Sequence, residues 1–145
     1  MAGHAHYRNL FGALVFLLAG SLGAGAEPRL RPGLPIVRPF HKVALTDLAQ
    51  GKVTWTHVET EGYLTYRRLE ADGDWHLRLC ASGQITAMDS NLCIIAEAIP
   101  EMPDMTMRAR DAIVHVKYRI RGITRKDPEH GWFEVHPLFL IEAVP

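Results

Sequence analysis

The strictest pattern in this chain is an alternation of apolar and polar side chains between residues 112 and 121. The apolar members are Val114, Val116, Tyr118 and Ile120, and the polar members are His115, Lys117, Arg119 and Arg121. Successive side chains of a β-strand point to opposite faces. The segment is therefore predicted to be a strand with one buried and one solvated face.

Four other segments are rich in apolar residues and bounded by turn residues, which predicts strands of an all-β fold. With the alternating segment, the predicted strands are Thr54–Leu69, Trp75–Ala81, Leu92–Ile99, Ala112–Arg121 and Trp132–Ala143. Asp72-Gly73 predicts a tight turn between the first two. The stretch 100–111 contains two prolines and predicts no more than one helical turn. Five strands with a long third connection favour a small Greek-key barrel of the OB type over a sandwich, which needs about seven.

Two cysteines test this layout, because they fall on the second and third predicted strands. If these strands are antiparallel and Cys80 faces Cys93, His76 faces Glu97 on the same side of the sheet. The other side then pairs apolar residues only, namely Leu79 with Ile94, Leu77 with Ala96 and Trp75 with Ala98. A slip of one residue would destroy this separation. The register predicts a Cys80–Cys93 disulfide, with two free buried thiols as the alternative.

The N-terminus predicts export from the cytoplasm. A polar start precedes the apolar run Leu10–Leu18, and Ala24-Gly25-Ala26 follows, which is the pattern of a secretory signal peptide over residues 1–26. An uncleaved anchor or a buried helix is the alternative, and no later segment is apolar enough to span a membrane. Residues 27–52 are predicted to be a Pro-rich arm with a short helical turn capped by Thr46, and residues 53–145 the barrel. We expect a periplasmic or extracellular location.

Overall charge gives little indication of a partner. The chain has 16 basic and 16 acidic residues, so no global field attracts nucleic acid or an anionic membrane. Lys117 and Arg119 form a local basic stripe, and both are candidate ligand contacts. A solvated strand face that discourages edge pairing is the alternative interpretation.

Polar and aromatic residues cluster at residues 72–76 and 130–137. In an OB barrel these segments would lie in or beside the loops that flank the usual ligand surface. The candidate ligand-binding residues are Asp74, His76, Glu97, Trp132, Glu134 and His136, together with Lys117 and Arg119. Trp132 is a candidate stacking platform for a sugar or a base, with a core position as the alternative.

Three sequence blocks resemble a family of secreted bacterial OB-like domains. The blocks are GDWHLRL, IIAEAIPE and HGWFEVHP, and the family pattern runs DGDxHL, IAEIP and E-hydrophobic-HP. The resemblance covers roughly Val58–Glu142. It implies that Asp74, His76, Glu97, Glu134 and His136 occupy signature positions, but it implies no activity.

A divalent metal is an alternative role for some of these residues. His76, Glu97, Glu134 and His136 carry the donor atoms that Zn²⁺ accepts. The structural interpretation is a cross-strand ion pair and hydrogen bonds to the backbone. We predict no other cofactor.

Two functions fit these observations. The first is a non-catalytic binding module that recognises a nucleic acid, a glycan or a protein, since the chain lacks the GxSxG, HExxH and P-loop motifs. The alternative is a metal-dependent hydrolase of the secreted nuclease type, because Asp72-Gly73-Asp74 resembles the metal-binding DGD of thermonuclease-like proteins. Trp75 stands where that family has Thr.

Overall fold

A computed structural model describes residues 38–145. The elements are β1 His41–Lys42, α1 Leu45–Ala49, β2 His57–Leu69, β3 Trp75–Cys80, β4 Cys93–Ala98, α2 Pro103–Asp111, β5 Lys117–Lys126 and β6 Phe133–Ala143. The predicted signal peptide, residues 1–26, and the arm up to residue 37 lie outside the described range. No helix within residues 38–145 is long and apolar enough to cross a membrane.

Strands β2 to β6 close into a five-stranded barrel. The sheet order is β1-β2-β3-β4-β6-β5, and β2 also pairs with β5. Every barrel pair is antiparallel except β4 with β6, which is parallel. The predicted all-β Greek-key barrel of the OB type is thereby confirmed. Its core is made of inward apolar side chains, including Leu64, Leu77, Leu79, Ile94, Ile120, Val135 and Leu138.

The predicted register of β3 and β4 is confirmed at every pair, from Trp75 opposite Ala98 to Cys80 opposite Cys93. The two cysteines form a disulfide. The register places them on the same face as His76 and Glu97. Both cysteines are nevertheless fully buried, because other side chains cover them. Thr65 covers Cys80, with its Oγ1 3.3 Å from the sulfur.

Strand β2 contains one irregularity that changes its alternation. Its pairing with β3 shifts between Leu64 and Tyr66, and both Leu64 and Thr65 are buried. Before this point the odd-numbered side chains face outward, as Glu59 and Glu61 do, and β5 is the partner. After it Tyr66 and Arg68 are exposed, and Arg67 between them is only partly exposed. Strand β2 therefore contributes to the outer surface of two different strand pairs.

Two segments differ from the sequence-based prediction. Helix α2 has nine residues rather than a single turn. Its first position is Pro103, whose missing N–H costs nothing there, and Ala109 is buried against the barrel. Strand β5 begins at Lys117 rather than Ala112, because His115 adopts a φ of 71° and interrupts the extended chain.

Residues 38–52 pack against the barrel. Strand β1 pairs in parallel with β2, and Leu45 and Leu48 of α1 are buried in the core. The N-cap of α1 is Ala44, so Thr46 lies inside the helix and does not cap it.

Candidate functional site

The parallel pairing of β4 and β6 brings together side chains that are far apart in the sequence. Ile95 pairs with Glu134, and the same register places Glu97 beside His136. The antiparallel pairing of β3 and β4 places His76 on the other side of Glu97. His76 Nε2 lies 3.0 Å from Glu97 Oε1, and His136 Nδ1 contacts Glu97 Oε2. A glutamate thus lies between two histidines on the outer face of the barrel.

Glu97 is ionised although it is only 5% exposed. Burial alone would raise the pKa of this carboxyl, but hydrogen bonds with His76 and His136 outweigh burial and lower the pKa to about 2. The same hydrogen bond raises the pKa of the His76 imidazole, although partial burial acts in the opposite direction. The two groups stabilise each other's charged forms.

Glu134 lies on the same face but has its own partner. Its carboxylate is 1% exposed and pairs with Arg125, which stands opposite it on β5. Burial, and to a smaller extent the charge of Glu97, raise the pKa of Glu134, while Arg125 acts in the opposite direction. Arg125 Nη2 also lies 3.6 Å from Glu97 Oε2. Arg125 was not among the predicted site residues, because the predicted strand stopped at Arg121.

Asp74 completes the group from the turn that precedes β3. One ligand atom each from Asp74, Glu97 and His136 lie within 4.8 Å of one another. Burial, Asp72 and Glu97 raise the pKa of Asp74. Within residues 38–145, the Asp74 carboxylate accepts no hydrogen bond and forms no ion pair. These three residues are the ones that could hold a metal; His76 contacts the group through Glu97, and Glu134 is held by Arg125.

A cleft of about 520 Å³ opens beside this group on the outer face. It is lined by Tyr66, Arg68, Glu70, Ala71, Asp72, His76, Arg78, Met88, Ile95, His130 and Trp132. The Arg78 guanidinium lies 5.3 Å from the centre of the Tyr66 ring. It is fixed there because it donates to Thr65 Oγ1 at 2.9 Å and to the Thr86 carbonyl at 2.9 Å.

Two loops border the cleft. In the 127–132 loop, Asp127 Oδ1 accepts backbone N–H bonds from Glu129 and His130, and Asp127 Oδ2 lies 2.8 Å from His130 Nδ1. Desolvation would raise the pKa of Asp127, but the His130 contact and the backbone bonds outweigh it and lower the pKa. The His130 ring stacks on Trp132 with centroids 4.2 Å apart. The loop therefore presents a fixed aromatic pair to the cleft.

The other border is the turn between β2 and β3. Gly73 has a φ of 99°, which favours glycine, and its N–H bonds the carbonyl of Glu70. Glu70 in turn receives a bidentate hydrogen bond from Arg68. Glu70 Oε1 also lies 3.6 Å from His76 Nδ1. A continuous series of side-chain contacts, Arg68 to Glu70 to His76 to Glu97, therefore runs from the rim of the cleft to the buried carboxylate.

Lys117 and Arg119 lie elsewhere, on the outer face of the β2–β5 pair. Both contact Glu61, Lys117 at 3.0 Å and Arg119 at 3.1 Å. Arg121 Nε donates to Glu59 at 2.6 Å. We call these five residues the charge ladder. Hydrogen bonds from Lys117 and Arg119 lower the pKa of Glu61, and neither basic residue lines the cleft.

Among comparisons with known proteins, only the solved structures give matches. No family model matches the chain. No curated protein matches it. Asparaginyl-tRNA synthetase from Pyrococcus horikoshii matches 73% of this chain with a TM-score of 0.54 and 15% identity, but only 23% of the synthetase. This chain thus spans about a quarter of that enzyme.

Two smaller structures also match. The Stn1-Ten1 complex of S. pombe matches 62% of this chain and 59% of that chain, with a TM-score of 0.48 and 12% identity. A small single-stranded DNA-binding protein from Streptomyces coelicolor matches 63% of this chain and 95% of its own, with a TM-score of 0.45 and 12% identity. The likeness to the synthetase shows the fold alone.

Proposed function

We propose that this protein is an exported, non-catalytic OB-fold binding module whose ligand is an oligosaccharide bound in the outer cleft. The observation that carries the proposal is the cleft itself, where two aromatic side chains and an anchored arginine face one space. Tyr66 is 43% exposed, Trp132 is held by its stack on His130, and Arg78 is fixed by two hydrogen bonds. Aromatic faces are suited to ring-shaped ligand units.

The charge of the cleft supports a sugar over a nucleic acid. Arg68 and Arg78 are balanced by Glu70 and Asp72, and Glu97 lies close behind them. A polyanion gains its affinity from basic residues in excess, and the cleft has no such excess. A neutral chain of hydroxyl-bearing rings would instead meet both donors and acceptors. OB barrels bind oligosaccharides as well as oligonucleotides on this surface.

Export is supported by two observations. The signal-peptide pattern of residues 1–26 predicts it, and a buried disulfide is typical of an oxidising compartment. The hydrolase alternative is not favoured by the comparisons. Its DGD segment is Asp72-Gly73-Asp74, which forms the turn before β3.

The test is to measure the binding of a panel of oligosaccharides through the change in the tryptophan fluorescence of the protein. Tyr66→Ala and Trp132→Ala should each weaken the best ligand by roughly 10-fold or more, since stacking on an aromatic ring is worth about 1–3 kcal/mol. Trp55→Ala is the matched control, because Trp55 is 51% exposed but lies outside the cleft. Its affinity should equal that of the natural protein.

Three results would contradict the proposal. Equal losses in the Trp55 and Trp132 variants would place the ligand elsewhere. Binding of single-stranded DNA with a steep salt dependence would replace the sugar with a nucleic acid. If the protein binds neither oligosaccharides nor single-stranded DNA, the proposed role as a binding module of this kind is wrong.

A further inference from the structure

We propose that Asp74, Glu97 and His136 form a binding site for one divalent ion of the Zn²⁺ class. The site is separate from the proposed function, since the cleft contacts described above do not require an ion. Its three donor atoms come from the turn before β3, from β4 and from β6. The barrel closes these segments onto one another, and the ligand atoms lie within 4.8 Å.

Asp74 is the residue that ion pairing does not explain. Three neighbouring carboxylates have a basic partner: Glu97 pairs with His76 and His136, Glu134 with Arg125, and Glu70 with Arg68. Asp72 instead accepts the backbone N–H of Asp74. The network is complete without Asp74. Yet within residues 38–145 this carboxylate is held beside Glu97 with no cation or donor of its own. Two carboxylates held together repel each other, and a bound cation would turn that repulsion into attraction.

The donor set decides the class of ion. One imidazole nitrogen and two carboxylates are a borderline set that suits Zn²⁺. Ca²⁺ takes six to eight oxygen ligands and Mg²⁺ an octahedron of oxygens, which three groups including a histidine do not provide. Three protein ligands leave one tetrahedral position for water.

Two further residues set the affinity. His76 holds Oε1 of Glu97 at 3.0 Å and so fixes the orientation of a ligand carboxylate. Arg125 Nη2 stands 3.6 Å from Oε2 and competes with an incoming cation. The Arg125 side chain is half exposed and keeps Glu134 as a partner, so it can give way.

The experiment is titration calorimetry of the tag-free, chelator-treated protein with Zn²⁺, Ca²⁺ or Mg²⁺, paired with thermal unfolding. We expect one Zn²⁺ per chain, no comparable Ca²⁺ or Mg²⁺ binding, and a higher Tm with Zn²⁺. Asp74→Asn should weaken Zn²⁺ binding by about 100-fold or more, because changing a residue that only supports a ligand already costs about 10–100-fold and Asp74 is itself a ligand of the proposed site. Without metal its Tm should equal or exceed that of the natural protein, because a repelling charge is removed.

The matched control is His130→Asn, since His130 also pairs with an aspartate but has no third ligand group among the described residues. It should bind Zn²⁺ like the natural protein, whereas His136→Asn should lose binding. The proposal is overturned by the absence of stoichiometric Zn²⁺, by a preference for Ca²⁺ or Mg²⁺, or by equal losses in the His130 and His136 variants. A metal-free Asp74→Asn protein that melts well below the natural one would assign Asp74 a structural role instead.

Discussion

Two arrays of charged side chains lie on the outside of this barrel, and they are built differently. In the charge ladder each carboxylate meets a basic residue across the strand, and the basic residues are partly exposed. In the group around Glu97 the carboxylates of Glu97 and Glu134 are buried and the partners of Glu97 are mainly histidines. Asp74 is half-buried and has no partner within residues 38–145. Cross-strand charge pairing alone therefore does not mark a site.

The distinction lies in what each array costs the folded protein. Exposed pairs are solvated whether or not they form, so they add little to stability. Buried carboxylates must be compensated where they lie. Asp74 is half-buried beside Glu97 without a partner of its own, so its charge is retained against the repulsion between the two carboxylates. The group around Glu97 thus has the features of a site, and the ladder has the features of a solvated surface.

The largest difference between the arrays should appear when one carboxylate is removed from each. Glu97→Ala removes the carboxylate that the partly buried His76 and His136 share, and should cost about 3–5 kcal/mol of unfolding free energy, because two hydrogen bonds to a charged group are lost. Glu61→Ala in the ladder should cost far less. Urea unfolding of both variants measures this, and equal losses would contradict the comparison.

The second largest effect should come from the Cys80–Cys93 disulfide, which joins only the strands of the group around Glu97. The disulfide closes a 13-residue separation between the strands that carry His76 and Glu97, whereas the ladder strands have no such link. Replacing both cysteines by alanine should cost about 3 kcal/mol by the chain-entropy estimate. Hydrogen exchange should rise more in β3 and β4 than in the β2–β5 pair, and a uniform rise would show that the link acts on the whole barrel.

The arrays should also differ in their response to alkaline pH. The pKa of His76 is raised in the folded protein, so its contribution is complete below its ordinary value of 6.5 and is lost as pH rises through the folded value. The pKa of Glu97 is lowered to about 2, so its contribution is present above 4.5 and is lost as pH falls. The metal-free protein should therefore be more stable near pH 5.5 than near pH 8.5.

His76→Gln should remove most of that difference. Glu61 has a lowered pKa and loses its contribution only in acid, so Glu61→Gln should leave the alkaline slope unchanged. Thermal unfolding across the pH range provides the measurement. An unchanged alkaline slope in the His76 variant would show that another group titrates there.

The smallest effect is expected from salt. Raising the salt to about 1 M shortens the screening length to about 3 Å and should remove what the ladder contributes. The Arg119→Gln variant should then unfold at the same urea concentration as the natural protein. The Glu97→Ala deficit should persist in the same buffer, because buried pairs are screened less.

The sequence predicted the β3–β4 half of the site and not the β6 half. The cysteines and the separation of apolar from ionisable residues determine one register, so His76 opposite Glu97 followed directly. The meeting of Glu97 with His136, which are 39 positions apart in the sequence, depends on a parallel pairing between β4 and β6 with a helix and a strand between them. No local pattern encodes such a pairing.

Two other features were missed for local reasons. The alternation that predicted β5 ends at Gly122, but the strand continues to Lys126, and this continuation places Arg125 beside Glu134. Helix α2 begins at Pro103 and has nine residues, whereas a segment with two prolines predicts no more than one helical turn. The grouping of Asp74 with the residues around Glu97 had a usable signal in the sequence. Asp74 lies two residues before His76, and the two-residue period of a strand places such side chains on one face.

The shift in β2 at Thr65 has a consequence for how this protein can be altered. Glu59 and Glu61 before it, and Tyr66 and Arg68 after it, all reach the exterior only because one extra residue separates the two series. Deleting Thr65 itself would only remove the bulge and leave both series outside, whereas deleting an ordinary strand residue such as Arg67 would turn the guanidinium of Arg68 toward the apolar interior. The barrel should accordingly accept a change in the length of β2 at Thr65 far more readily than at any paired position of the strand.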